Sequence, residues 1–117
     1  MKRPIVEIPN ETPRTEPPDQ FESAIFAAEL GEAPEIDLHG LNKDQALHEL
    51  DRFMHHEMLA GSEVIRIIHG RGDQILRKEI HKWLEKQKAL QLVAFFRNAE
   101  KAGEQNAVTY AALHRLK

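Results

Sequence analysis

Beyond Glu35 the apolar residues switch between a period of two and a period near 3.6, and each switch marks an element. EIDLHG, residues 35–40, alternates and stops at a glycine, as a short strand does. Asn42 then stands where a helix N-cap belongs, and Ala46, Leu47, Leu50, Phe53, Met54 and Met58 recur at helical spacing. Gly61 falls where a left-handed residue would close that helix. VIRIIHG, residues 64–70, is rich in β-branched residues and reads as a second strand. Gly72 or Asp73 opens a second helix with Leu76, Ile80, Trp83, Leu84 and Gln87 along one face. LVAFFRN (92–98) and AVTYAALH (107–114) read as two further strands, parted by a polar turn around Gly103 and Asn106. The order is βαβαββ.

A strand–helix–strand unit makes its two strands parallel, whereas the last two, joined by a short turn, should pair antiparallel. About eighty residues are too few to cover both faces of a sheet with helices, which predicts an α/β two-layer sandwich: a four-stranded mixed sheet with two helices. Ile36, Leu38, Leu47, Leu50, Ile65, Ile67, Leu76, Ile80, Trp83 and Leu84 are the expected core.

Residues 1–34 have a different character. All six prolines of the chain lie there, which predicts a mostly irregular arm ahead of a domain at 35–117. Within the arm, FESAIFAAEL (21–30) has Phe21, Ile25 and Ala28 on one helical face, as a short docking helix or merely nascent structure. Removing residues 1–33 is expected to leave a folded domain. Residues 1–35 carry three Lys/Arg against eight Asp/Glu, and residues 36–117 carry thirteen against eleven. A domain so close to neutrality has no broad basic footprint, so any phosphate binding must be local. Cysteine is absent, which excludes disulfides, a disulfide-linked partner and thiolate chemistry. No apolar run approaches the roughly 20 residues of a membrane span, and the N-terminus lacks the apolar core of a signal peptide. A cytoplasmic protein without membrane partners is expected.

The chemistry sits where the two predicted parallel strands end. Both stop in an apolar-His-Gly corner, IDLHG and IIHGRG, and parallel strands finish at one rim about 4.8 Å apart. That carboxyl rim, where helix N-termini also point, suits a phosphate. Asp37 and His39 are two apart and project from one face of the strand, so the carboxylate is able to orient the imidazole as a general base. Gly40, Gly70 and Gly72 allow sharp turns and close approach of a ligand, and Arg71 offers a bidentate grip on phosphate. Each corner alone has a plain structural reading: Asp-x-His often caps a turn, and a Gly-rich strand-to-helix turn is common. The lysines of the second helix, Lys78 among them, form a solvated face unless the rim is a site, in which case Lys78 joins the nucleic-acid contact. His48, His55, His56, His81 and His114 read as surface or partly packed residues, and no metal site is expected at His55 and His56.

These two motifs, in this order and separation, resemble the small MutS-related (Smr) domain family from about Glu35 to Lys117. The resemblance implies a fold like the C-terminal domain of a bacterial translation initiation factor. It also implies a nuclease that nicks DNA or cleaves RNA, in some members on messages held by stalled ribosomes. Carried over by motif, Asp37 and His39 fall on the family's catalytic Asp-x-His, and His69, Gly70, Arg71 and Gly72 fall on its phosphate-facing motif. The family's glycine-rich turn before the last strand is replaced here by AGEQNAVTY.

The expected function is an endonuclease acting on RNA or DNA. His39 would activate the attacking oxygen, Arg71 would stabilise charge on phosphorus, and His69 would protonate the leaving oxygen. No resident cofactor is expected, with a divalent metal such as Mg or Mn as the variant mechanism. A module that binds nucleic acid or a ribosome without cutting is the alternative. A small metallohydrolase using Asp37, His39 and His69 as ligands is a weaker third reading.

Overall fold

The computed structural model describes residues 19–115 apart from Asp73. Most of the proline-rich stretch, and Asp73 as a helix opener, therefore lie outside the described residues. Seven elements follow in order: α1 (Gln20–Leu30), β1 (Glu35–Asp37), α2 (Lys43–Ala60), β2 (Val64–Ile68), α3 (Gln74–Ala89), β3 (Val93–Asn98) and β4 (Val108–Leu113). From β1 onward this is the expected βαβαββ order. The strands form one mixed sheet in the order β1-β2-β4-β3. β1 and β2 run parallel, while β4 pairs antiparallel with both β2 and β3.

Local chemistry sets the helix ends. The Asn42 side chain accepts the Gln45 N–H at 2.8 Å while the Gln45 side chain receives the Asn42 N–H, a reciprocal cap that starts α2. Gly61 closes it at φ 86°, a backbone conformation open to glycine at little cost. α2 and α3 cover one face of the sheet, where Leu38, Leu50, Met54, Ile65, Ile67, Leu76, Ile80 and Leu84 form the main core. Ile36, Leu47 and Trp83 only border it and are half-buried. β1 is an edge strand, which leaves Ile36 uncovered on one flank, and an indole is seldom fully enclosed.

The expected sandwich is present from β1 onward, and the other face of its sheet is covered as well, by the segment ahead of it. α1 lies there, capped at its start by the Asp19 side chain, with Ile25 fully buried against Val64, Val108, Tyr110 and Ala112. Phe21, Ala24 and Ala28 pack around that cluster. The helix face foreseen at 21–30 is thus a docking face and adds a partial third layer. Deleting residues 1–33 would uncover that cluster and is no longer expected to be neutral. Among the described residues no helix is long and apolar enough to cross a membrane.

Candidate active site

Parallel pairing of β1 with β2 carries both His-Gly corners to one rim, as their chain positions require. Asp37 lies opposite Ile68, and the Leu38 N–H donates to the Ile68 carbonyl at 2.7 Å. One step on, His39 meets Gly70 so closely that a Cβ on Gly70 would stand 3.0 Å from the His39 Cβ. Gly70 also has φ +90°, so two independent constraints demand glycine there. Gly40 has φ +83° but open space around it. Gly72 is held by neither constraint.

Asp37 and His39 form a pair at the open edge of this rim. The Asp37 Oδ1 lies 2.6 Å from His39 Nδ1 and also accepts the His39 backbone N–H at 3.1 Å. These hydrogen bonds from His39 hold the Asp37 pKa below the ordinary carboxylate range, with the Arg66 charge adding to the effect. An ionised carboxylate only accepts, so Nδ1 carries a proton and, in the neutral ring, Nε2 presents its lone pair. The two side chains are 51% and 69% exposed, so that lone pair is open to solvent and to a substrate.

His69 has the opposite setting. Its side chain is completely buried, pointing between the sheet and α3, with Nε2 2.9 Å from the Thr109 hydroxyl. His81 of α3 places its own Nε2 2.8 Å from the same hydroxyl, and the Asn98 side chain lies 3.4 Å away. One hydroxyl proton cannot serve all three neighbours, so at least one imidazole donates to Thr109. Burial pushes the His81 pKa down, and the nearby Arg77 charge pushes it the same way. The expectation that His69 protonates a leaving group is therefore corrected: the imidazole is walled off from the rim. What its corner exposes is backbone, together with Arg71.

Arg71 is exposed and does not stand free: its Nη2 donates to the Gly103 carbonyl in the turn between β3 and β4. The same turn receives the His69 and Gly70 N–H groups at its Ala107 carbonyl, 3.0 and 3.1 Å away. AGEQNAV thus takes part in the rim through its carbonyls. Lys78 is exposed in the second turn of α3. Arg66, which sequence reasoning passed over, bridges Glu35 and Glu104 at 2.6 Å each; burial works against its charge, and Glu104 with the Tyr110 hydroxyl raises its pKa in spite of that. Thr109 was also missed, whereas His81 is partly packed as expected. A lone threonine in the apolar run VTYAAL was the available signal, because a polar side chain facing a core needs a partner.

Among the described residues no three or more His, Asp or Glu side chains converge to hold a metal. Asp37 and His39 face outward while His69 faces the core, so the three-ligand arrangement does not assemble.

The Smr domain family matches residues 36–114, which include both corners and all four strands except the first residue of β1. The chain belongs to the Smr domain family. The crystal structure of the Smr domain of Thermus thermophilus MutS2 superposes with a TM-score of 0.64 at 32% identity, covering 69% of this chain and 98% of that one. Endonuclease MutS2 of Maridesulfovibrio salexigens is 44% identical over 55 residues, 47% of this chain and 7% of that protein. Endonuclease MutS2 of Caldanaerobacter subterraneus is 35% identical over 82 residues, 70% of this chain and 10% of that protein. The likeness to these relatives is confined to about a tenth of their length or less. α1 lies outside the Smr match altogether.

Proposed function

We propose that the protein is a nucleic-acid endonuclease acting through the Asp37–His39 pair. The observation that carries this reading is the 2.6 Å contact between an ionised carboxylate and an exposed imidazole, set directly beside the glycine corner of β2. In the reaction, His39 Nε2 takes the proton from the attacking oxygen, either a water or the 2′-hydroxyl of RNA. Asp37 keeps the ring in the required tautomer and stabilises the imidazolium that forms. The new P–O bond forms as the bond to the leaving oxygen breaks, and that oxygen takes its proton from solvent at the open rim. Arg71 and Lys78 would hold the phosphate and its developing charge, with the positive dipole end of α3 adding to them. The name endonuclease borne by the MutS2 relatives supports the reaction class.

Incubation of the protein with labelled RNA and DNA, with and without chelator, tests the proposal beside Asp37→Ala/His39→Ala. The expected result is cleavage by the wild type that persists in chelator and is lost in the double variant, with binding retained. A 2′,3′-cyclic phosphate end would identify 2′-hydroxyl attack. Loss of activity in chelator, with 5′-phosphate ends, would reassign the step to metal-activated water. A wild type that binds but leaves every substrate intact would make the protein a binding module.

A further inference from the structure

Glu29 is an unusual residue to bury. It sits one residue from the end of α1, its side chain is 6% exposed, and nothing in the family match covers it. Its Oε1 accepts from Arg97 Nη2 at 2.8 Å, and its Oε2 accepts the backbone N–H groups of Glu100 and Lys101 at 2.6 and 2.7 Å. Burial alone would favour the protonated acid, but these bonds outweigh it and hold the Glu29 pKa below the ordinary range. The carboxylate thus grips the first residues of the turn between β3 and β4 from some 70 residues away in the chain.

That turn continues the connection. The Glu104 N–H donates to the Lys101 carbonyl at 3.1 Å, and the Ala107 N–H donates to the Glu104 carbonyl at 3.0 Å. The Ala107 carbonyl then receives the N–H groups of His69 and Gly70. A chain of hydrogen bonds therefore runs from α1 to the residue that touches His39. Arg66 on Glu104 and Arg71 on the Gly103 carbonyl brace the same turn. Bonds linked in series reinforce one another, and a displacement at one end is passed along.

We propose that Glu29 is a positioning residue for the candidate active site. It fixes the turn between β3 and β4, and through it the His69–Gly72 backbone that lies against His39 and would face bound phosphate. Its consequence for catalysis rests on the nuclease reading; its consequence for the backbone does not. Glu29→Gln is a severe change despite its shape, because one amide oxygen cannot replace two carboxylate oxygens and the NH₂ must then face a donor. Glu29→Asp keeps an acceptor-only group on a shorter stem and should recover part of the effect.

The test is amide hydrogen exchange by NMR on the full chain, run beside single-turnover cleavage and binding of labelled RNA and DNA. In Glu29→Gln, exchange should quicken at Glu100 and Lys101 and also at His69 and Gly70, with the central amides of β2 and β4 unchanged. Cleavage should fall roughly tenfold at nearly constant affinity, because a small misplacement of reacting groups costs rate more than binding. Quickening confined to Glu100 and Lys101, or a uniform rise across β2 and β4, would overturn the proposal. If Glu29→Gln is too unstable to record, Glu29→Asp carries the same test with a smaller change at the same amides. A wild type that cuts neither nucleic acid would end the nuclease reading, and the exchange pattern would still decide whether Glu29 reaches the rim.

Discussion

The two His-Gly corners share a local sequence and a rim, yet one histidine is open to solvent and the other is sealed in the core. The difference is one of phase along the strand. In IDLHG the core-facing residue is Leu38, so His39 projects with Asp37 from the opposite face. In VIRIIHG the core-facing residues are Ile65 and Ile67, which puts His69 in step with them and under α3. A histidine one place after a core residue is presented, and one two places after is swallowed. The same motif therefore yields an exposed imidazole in one corner and a buried anchor in the other.

Five changes would break or sharpen that contrast. His39→Ala should reduce cleavage by on the order of a hundredfold or more, the loss expected for a general base, while thermal stability stays near wild type. A large fall in melting temperature would show His39 to be structural. His69→Ala should do the reverse, costing about 2–3 kcal/mol of stability through a cavity and the lost hydrogen bond to Thr109. Calorimetry would check it, and an unchanged unfolding transition would remove His69 from the core.

The glycines grade the same comparison. Gly70→Ala must adopt a left-handed backbone, at about 1–2 kcal/mol, and also push against the His39 Cβ. Gly40→Ala bears the backbone cost alone, since nothing lies within 4 Å. Gly70→Ala should therefore lose more activity than Gly40→Ala at matched stability, as kinetics beside chemical denaturation would show. Equal losses would mean that contact between the corners is unimportant.

The smallest effect is one of pH. His81 has a lowered pKa in the folded protein, so the unfolded chain takes up a proton more readily on acidification. Stability should fall from about pH 7.5 to about pH 5.5, where an ordinary histidine titrates. His81→Gln, still able to bond Thr109, should flatten that slope in melting curves. An unaltered slope would place the titrating group elsewhere.

Much of this was legible in the residues. Asn42 and Gly61 bracket α2 because cap chemistry is local, and the two corners met because βαβ connectivity leaves parallel strands ending together. The phase of the histidines could have been read by extending each strand's alternation one more residue. α1 was harder. Its docking depends on the far face of the sheet, and the clue was that β2 and β4 are apolar on both faces, as Val64, Ile65, Tyr110 and Ala111 show. Glu29 could not be foreseen from spacing, because its partners Arg97, Glu100 and Lys101 meet it only through tertiary packing.

Chemical rescue separates the two corners most directly. His39→Gly and His69→Gly would each be assayed for single-turnover cleavage of labelled RNA and DNA with increasing free imidazole. An exposed gap at position 39 is open to imidazole, so activity should return in proportion to its concentration. The buried gap at position 69 should give no recovery. Rescue of His69→Gly, or no rescue of a His39→Gly protein that still binds nucleic acid, would contradict the assignment of His39 as the reacting imidazole.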